Sequence, residues 1–344
     1  MKRVGYIYEK IWDVENIKKA ILKSSLGKRK QRRVKKVLNN MDAYAHTISN
    51  MIREKSYKPS PYVIKQISDG VSQKVRTIHK PRYYPDQIIH WSLMLQIQSV
   101  IMRGMYEYNC GSVPKRGIHH AKKALRKWID RDIKNTKYCL KMDISKFYPS
   151  ISNEILKQKL RSKIKDQDCL WLLDTIIDSS IGLPIGNYTS QWLANFFLED
   201  LDHFIKEELQ CKCYLRYVDD IVILGANKKR LHYVRKEIEK HLNEIELEVK
   251  QNWQVFKVSS RAVDFLGFRF FRSKTILRKS NALRIRRRVK KVHEKKTVPV
   301  RDAQALISYH GWLTNSDSYQ FCHKYFFPFF DIKQLRGIVA RVNN

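Results

Sequence analysis

Residues 213–225 constrain the fold more than any other part of this sequence. Two apolar runs, 214–218 and 221–224, flank the adjacent carboxylates of Asp219 and Asp220. This pattern predicts a β-hairpin with both acids at or beside its tip. Because a carboxylate among apolar side chains is costly without compensation, a divalent cation is a natural partner for the pair.

The overall composition makes acids unusual in this chain. The 344 residues include 68 Lys and Arg against 33 Asp and Glu, which gives a net charge of +35. Such a charge indicates a polyanionic partner, because each neutralised phosphate releases condensed counterions. An ordinary metabolic enzyme is therefore disfavoured. With 43% hydrophobic and 11% aromatic residues, the chain is expected to form a sizeable core.

A third acid has a setting similar to that of the pair. Asp143 directly follows the predicted strand 137–142. Three carboxylates at adjacent strand ends suit a two-metal phosphoryl-transfer site, in which Mg²⁺ activates an attacking 3′-hydroxyl and stabilises the leaving pyrophosphate. The alternative is a hairpin turn with solvent-exposed Asp residues.

Hydrophobic periodicity predicts a mixture of helices and strands. Helices are expected within 1–60 (basic and amphipathic), over 86–108, 118–132, 187–210 (one long helix) and 231–245, and within 302–344. Strands are expected within 62–80, with a turn at 68–70, and around 263–268. The basic N-terminal helices are either a nucleic-acid contact or solvated surface.

Cysteine spacing and hydropathy set the expected compartment. None of the six cysteines forms a CxxC pair, so buried free thiols are expected rather than a zinc site or disulfides. The sequence shows no export signal and no apolar run of about 18 residues. No membrane partner and a cytoplasmic location are therefore expected.

The three acids lie within a set of sequence motifs that follow one another in a fixed order. Residues 217–220 (YVDD) resemble the Tyr-x-Asp-Asp box of reverse transcriptases, and 143–148 (DISKFY) resemble their first palm motif. Residues 186–190 match the segment with which the family contacts primer and substrate, and 265–268 its grip on the primer end. These motifs follow the family's order over about 125 residues, which makes the resemblance specific. Further upstream, 74–78 and 111–117 resemble finger motifs.

The resemblance implies an α+β, right-hand polymerase fold with fingers, palm and thumb. The fingers, with their basic helical N-terminal segment, would span 1–138. The palm would span 139–271, with 155–182 partly a fingers-like insertion, and the basic helical thumb would span 272–344.

The resemblance also assigns roles at the active centre. Asp143, Asp219 and Asp220, with the backbone carbonyl of Ile144, would hold two Mg²⁺ ions. Tyr148 would clash with a ribose 2′-oxygen and so select deoxynucleotides; an ordinary buried aromatic residue is the alternative.

Further family positions would contact the incoming nucleotide. Lys74 and Arg76 would clamp its triphosphate, with nearby Lys80 and Arg82 as competitors for that role. Lys250 would lie near the departing pyrophosphate, unless it is only a surface lysine. Ile185, Gly186 and Gln191 complete the expected nucleotide contacts.

A second set of residues is expected to bind the nucleic acid. Tyr217 belongs to the YVDD box, and Leu266 and Gly267 to the primer grip. In the thumb, helical spacing distributes basic side chains around most of one helix, which suits a template–primer backbone or a structured RNA; an acidic protein surface is the alternative. These thumb residues are Arg284, Arg286, Arg287, Arg288, Lys290 and Lys291.

Ile185 and Gln191 depart from the commonest family pattern, which has Gln and Pro at these places. This form is similar to that of reverse transcriptases from diversity-generating retroelements of bacteria and phages. Such enzymes copy a template-repeat RNA into cDNA that is mutated at adenines, with a structured RNA, a primer strand, dNTPs and a small basic accessory variability protein as partners. We expect Ile185, together with Arg76, to permit errors opposite adenine, since Gln could hydrogen-bond near the templating nucleotide; the alternative is that Ile185 only packs the start of the following helix.

Three alternatives stay open at this point. One is another bacterial reverse transcriptase, of the abortive-infection or reduced group II intron type. A second is a non-catalytic basic RNA-binding protein, which would explain the charge but not the three acids. An RNA-dependent RNA polymerase is disfavoured by Tyr148.

Overall fold

The computed structural model describes residues 3–68 and 75–341. Its α-helices, numbered along the chain, are α1 (Tyr8–Trp12), α2 (Val14–Ser24), α3 (Arg32–Asn39), α4 (Met41–Arg53), α5 (Ile88–Met102), α6 (Ile118–Arg131), α7 (Phe147–Ser150), α8 (Asn153–Lys163), α9 (Gln167–Ile177), α10 (Tyr188–Phe197), α11 (Glu199–His203), α12 (Lys228–Glu244), α13 (Lys279–His293), α14 (Val300–Thr314), α15 (Tyr319–Tyr325) and α16 (Ile332–Ala340). Tyr83–Gln87 and Phe204–Glu208 form π-helical turns.

The strands belong to separate sheets. They are β1 (Val63–Ser68), β2 (Val75–Lys80), β3 (Tyr138–Asp143), β4 (Cys213–Tyr217), β5 (Asp220–Gly225), β6 (Gln254–Lys257), β7 (Val263–Phe265), β8 (Phe268–Phe270) and β9 (Thr275–Leu277). The strand orders are β1-β2, β4-β5-β3-β6 and β7-β8-β9. The β1-β2 and β7-β8-β9 pairings are antiparallel.

The chain divides into two compact units. The first comprises 1–121, 140–223 and 229–254, and the second comprises 122–139, 224–228 and 255–344, within the described ranges. The division into fingers, palm and thumb stays a prediction.

Helix α5 forms the centre of the first unit. Its side chains are apolar around most of its circumference, which is typical of a helix buried on several sides. It packs against α1, α2 and α10, and Leu93 and Ile97 on α5 are completely buried, as are Ile17 and Ile21 on α2.

Asp166, at the N-cap of α9, ties the N-terminal segment to a distant part of the same unit. Its carboxylate accepts hydrogen bonds from the backbone N–H groups of Ile7 (2.7 Å), Tyr8 (2.9 Å) and Cys169 (3.1 Å). Burial opposes ionisation, but the backbone donors outweigh it and hold the pKa of Asp166 below its usual range. One carboxylate therefore satisfies donors from two distant segments.

Asp166→Ala is expected to lower the free energy of unfolding by about 2–4 kcal/mol, since it leaves several backbone donors without their acceptor. Because the pKa of Asp166 is lowered on folding, this stabilisation is present above about pH 4 and is lost as the pH falls below it. Urea unfolding at pH 7 and pH 4 measures both effects. Asp168→Ala removes only an exposed ion pair with Lys55 and should change stability by at most about 1 kcal/mol. Equal effects of the two substitutions would contradict the assignment.

The second unit has its own apolar core. Phe268 and Phe270 on β8 are buried, and the Phe268 ring stacks on Trp312 of α14 with centroids 5.3 Å apart. Helix α13 packs on α14, and α14 on α16. The predicted strands and helices of this region are thus confirmed, although 302–344 contains several helices.

The predicted single helix over 187–210 is wrong. Helix α10 ends at Phe197, Leu198 leaves helical geometry (φ −97°, ψ 11°), and α11 and a π-helical turn follow. Residues 192–198 are all buried, so this segment has no solvent-facing side as an amphipathic helix would. The predicted helix over 86–108 likewise ends earlier, at Met102. Within the described ranges, every helix is too short or too polar to serve as a bilayer-crossing segment.

Candidate active site

Asp219 and Asp220 lie at the tip of a β-hairpin, as the sequence pattern predicts. Strands β4 and β5 are neighbours in their sheet, and Val218 and Asp219 form the turn between them. Val218 has φ +59°, a conformation that β-branched residues rarely adopt. Asp220 is the first residue of β5.

Backbone pairing brings the third acid to this turn. Strand β3, which ends at Asp143, lies beside β5 in the sheet. The N–H of Ile144 donates to the carbonyl oxygen of Asp219 at 3.2 Å, and the N–H of Lys250 donates to that of Asp143 at 2.9 Å. Main-chain hydrogen bonds thus connect the segments that carry Asp143, Asp219 and Lys250.

The charged side chains of the site influence one another because they lie close together. Burial, together with the nearby charge of Asp143, raises the pKa of Asp219 to about 6. The ammonium group of Lys250 forms an ion pair with Asp143, and that of Lys141 lies 3.7 Å from Asp220. Lysine side chains therefore balance part of the negative charge, and the role of Lys250 near a departing pyrophosphate stays a prediction.

The donor chemistry of these residues suits Mg²⁺, which prefers hard oxygen ligands such as carboxylates. In the part of the chain that the structure describes, no three His, Cys, Asp or Glu side chains are grouped to hold a metal ion. Lys250 would have to release Asp143 for that carboxylate to bind one. Ile144 is buried beside Asp143, and its carbonyl as a ligand, like the two ions, stays a prediction.

A cavity of about 1210 Å³ opens beside Asp219. Its lining includes most of the predicted nucleotide contacts, drawn from distant parts of the sequence; these are Arg76, Tyr148, Ile185, Gly186 and Gln191, with Tyr217 and Lys250. Lys74 lies outside the described residues. Cations and an aromatic ring thus surround a space large enough for a nucleotide.

Tyr148 occupies the start of the short helix α7. The carbonyl oxygen of Tyr148 accepts a hydrogen bond from the N–H of Leu183 at 2.9 Å, which fixes the backbone at this point. Burial and the charge of Asp219 raise the pKa of Tyr148 to about 12, so its hydroxyl stays protonated at neutral pH. A bulky, neutral side chain therefore shares the cavity with Asp219.

Gly186 allows two backbone segments to approach each other closely. It has φ +137°, and a Cβ atom there would clash with the carbonyl oxygen of His79 on β2. The N–H of His79 donates to the carbonyl oxygen of Ile185 at 2.8 Å. This contact holds the strand of Arg76 against the segment 185–191.

Gly186→Ala is expected to destabilise the protein by about 1–3 kcal/mol and to reduce the DNA synthesis that the sequence resemblance implies at least about 10-fold, because both the φ angle and the clash oppose a side chain. Primer extension and thermal unfolding measure the two effects. Gly337→Ala, in open space on α16, is the matched control and should not reduce stability. Unchanged synthesis by Gly186→Ala would refute the prediction.

Several cavity residues were not predicted as part of the site. Lys23, Leu26 and Lys28 line the cavity from the N-terminal region, and burial together with the charge of Lys80 lowers the pKa of Lys28. The basic run that begins at Lys28 left nucleic-acid contact and solvated surface open and did not indicate this location. Trp91 stacks on Tyr188 with centroids 3.8 Å apart, a contact without a local sequence signal.

Two of the predicted nucleic-acid contacts lie in a turn of the second unit, where Gly267 is buried. Leu266 (φ +51°) and Gly267 (φ +81°) make the turn between β7 and β8, and a Cβ on Gly267 would lie 2.7 Å from the Trp312 ring. A side chain at position 267 would clash with Trp312, which explains why this residue is glycine.

Helix α13 is less uniformly basic than predicted. It buries an apolar face that includes Ile285 and Val289, and Arg288 forms an ion pair with Asp302. The guanidinium of Arg286 lies over the Tyr325 ring at 4.8 Å. The exposed basic residues of the predicted set are Arg284, Arg286, Arg287, Lys290 and Lys291.

Comparison with known proteins identifies the class to which this fold and site belong. Residues 86–270 match the family described as reverse transcriptase (RNA-dependent DNA polymerase). This match covers more than half of the chain, so the chain belongs to the reverse transcriptase family.

The similarity to individual proteins of known sequence is low and covers only part of the chain. The retron Ec73 reverse transcriptase of Escherichia coli is 31% identical over 138 residues, which cover 36% of this chain and 44% of that protein. The group II intron-encoded protein LtrA of Lactococcus lactis subsp. cremoris is 23% identical over 169 residues, which cover 46% of this chain and 27% of that protein. The chain thus spans less than half the length of these curated relatives.

Solved structures show the same fold. Apo telomerase from Candida tropicalis matches with a TM-score of 0.52 at 10% identity, covering 84% of this chain and 64% of that one. Telomerase from Candida albicans, in complex with a TWJ fragment of telomeric RNA, matches with a TM-score of 0.51 at 12% identity, covering 83% of this chain and 61% of that one. The predicted α+β, right-hand polymerase fold is confirmed.

Proposed function

We propose that this protein is an RNA-directed DNA polymerase. The observation that carries the proposal is the position of Asp219, which is half-buried close to the charge of Asp143 and lines a large cavity with several cations. Two like charges held together at such a cost are typical of catalytic centres. The reverse transcriptase family to which the chain belongs uses this kind of site.

Each side chain of the site has a chemical task in this proposal. Asp143, Asp219 and Asp220 would hold Mg²⁺, which supplies activation of the primer 3′-hydroxyl and stabilisation of the leaving pyrophosphate. Arg76 offers a guanidinium fork to the triphosphate. Lys250 provides positive charge where negative charge develops during the reaction.

The direct test is extension of a DNA primer on an RNA template with dNTPs and Mg²⁺. We expect cDNA from the wild-type protein and none from Asp219→Ala, with equal template–primer affinity. A non-catalytic RNA-binding protein would bind the template, form no cDNA with any partner, and be insensitive to the substitution. That result would reject the polymerase.

We further propose that the polymerase serves a diversity-generating retroelement and copies a template-repeat RNA with errors at adenines. Ile185 and Gln191, which depart from the commonest family pattern, both line the cavity beside Asp219. A structured RNA and a small basic accessory variability protein are the partners in this proposal, in a bacterial or phage setting. Sequencing of cDNA made from all four template bases tests it. Accurate cDNA in the presence of those partners would favour another bacterial reverse transcriptase.

Ile185→Gln is expected to lower the error rate opposite adenine about 5- to 10-fold, because an amide side chain adds a hydrogen bond worth about 1 kcal/mol to correct pairing. Sequencing of cDNA from both proteins on one template measures the change. Ile181→Gln provides the control, since Ile181 is an aliphatic residue of the same cavity and is 95% exposed. An unchanged error spectrum for Ile185→Gln would remove Ile185 from the account of fidelity.

A further inference from the structure

A fully buried ion pair lies beside the turn that contains Asp219. The side chains of Arg216 on β4 and Asp202 on α11 are both completely inaccessible to solvent. Arg216 donates from Nε to Asp202 Oδ1 at 2.8 Å and from Nη2 to Oδ2 at 2.5 Å. The Tyr214 hydroxyl donates to the same carboxylate at 2.5 Å. The guanidinium is therefore held in one orientation by a bidentate pair.

The remaining arm of this guanidinium reaches the turn itself. Arg216 Nη1 donates to the carbonyl oxygen of Val218 at 2.9 Å. Val218 is the residue with φ +59°, and it directly precedes Asp219. A strained conformation persists only where its surroundings fix it, and this hydrogen bond is one such restraint.

Neighbouring backbone closes around the same residue. The N–H of Cys110 donates to the carbonyl oxygen of Arg216 at 2.8 Å. A Cβ atom on Gly111 would lie 2.5 Å from Val218 Cγ2, and Asn195 Nδ2 donates to the Gly111 carbonyl oxygen at 2.5 Å. The turn is thus enclosed by Cys110, Gly111 and Asn195, none of which is among the residues that line the cavity.

We propose that Arg216, oriented by Asp202, is a positioning residue that sets the direction of the Asp219 and Asp220 carboxylates through the Val218 carbonyl. The proposal rests on the polymerase function proposed above. Buried ion pairs are a poor source of stability, since apolar side chains of similar volume often serve as well. Only a planar guanidinium can bind a carboxylate with two hydrogen bonds and still donate to a carbonyl oxygen. The geometry therefore indicates that Arg216 orients the turn at Val218 rather than adding stability to the fold.

Three variants test this role. Arg216→Lys keeps the charge but loses the fork, and Asp202→Asn keeps the shape but weakens the anchor. The triple variant Asp202→Leu/Tyr214→Phe/Arg216→Met replaces the whole polar group by apolar side chains. Lys163→Met/Glu199→Leu is the control, because this pair also involves α11 but lies outside the residues that enclose the turn.

Folded variants are expected to lose at least about 10-fold in kcat, while KM for dNTPs and Kd for template–primer change less than about 2-fold. A second readout needs no synthesis. Mn²⁺ affinity of the protein alone, measured by electron paramagnetic resonance, should weaken about 10-fold in the variants and be largely lost in Asp219→Asn. The control should retain both properties.

The outcomes separate this inference from the polymerase proposal. If the wild type makes no cDNA but the variants lose Mn²⁺ affinity, the positioning role of Arg216 is supported and the polymerase function is rejected. Unchanged kcat and Mn²⁺ affinity in a folded triple variant would overturn positioning, whatever the wild type does. Failure of all three variants to fold would overturn it as well, since the pair would then be needed for the fold.

Discussion

Asp219→Asn is expected to abolish DNA synthesis, with a loss of at least about 1000-fold, and at the same time to make the metal-free protein more stable. The activity is lost because an amide cannot replace an ionised carboxylate as a Mg²⁺ ligand. The stability rises because burial and the charge of Asp143 raise the pKa of Asp219 to about 6, so its ionised form costs free energy in the folded state. Primer extension, and thermal unfolding in the presence of a chelator, measure the two effects.

The size and pH dependence of the stability gain follow from the direction of the pKa change. Because the folded-state pKa lies above the unfolded value, the carboxylate destabilises the fold as the pH rises above about 4, and fully so above the folded pKa. We expect a gain of about 1–2 kcal/mol at pH 7 that disappears near pH 4. Asp174→Asn, which weakens an exposed pair with Arg161, should change neither activity nor stability appreciably. A variant of Asp219 that loses stability and activity together would instead indicate a structural role.

Tyr148→Val is expected to reduce discrimination against ribonucleotides by about 100-fold, because the smaller side chain leaves room for a 2′-hydroxyl group. The Tyr148 ring shares the cavity with Asp219 and Gln191, and its backbone is fixed by the hydrogen bond from Leu183. The ratio of kcat/KM for dCTP and CTP, measured on one RNA template, gives the effect directly.

The conservative change Tyr148→Phe serves as the control for this prediction. It keeps the ring and removes only a hydroxyl group whose pKa is already raised to about 12, so discrimination should stay near that of the wild type. Selection by bulk would be refuted if Tyr148→Phe and Tyr148→Val behaved alike.

Features encoded locally were predictable from the sequence. The hairpin around Asp219 follows from two apolar runs and a pair of acids, and the strand before Asp143 from a short apolar segment. Both are confirmed, as are the α+β fold and the family. The retroelement type, the two Mg²⁺ ions and the residue roles stay predictions.

Features that depend on several distant segments were not predictable. The break at Leu198 has no local signal in the sequence, since residues 188–210 contain neither glycine nor proline. Lys28 reaches the cavity although its neighbours in sequence resemble ordinary basic surface. Arg216 is completely buried, yet arginine in a strand normally indicates an exposed position; only its partner Asp202, from another element, makes that burial tolerable.

The contact between β2 and residues 185–186 has an evolutionary consequence. It is made by main-chain atoms of His79 and Ile185, and only Gly186 is required to lack a side chain. The side chain of residue 185 makes no part of this hydrogen bond, although it faces the cavity. Residue 185 can therefore change its side chain without loss of this contact, so the fidelity role that we propose for Ile185 could evolve separately from folding.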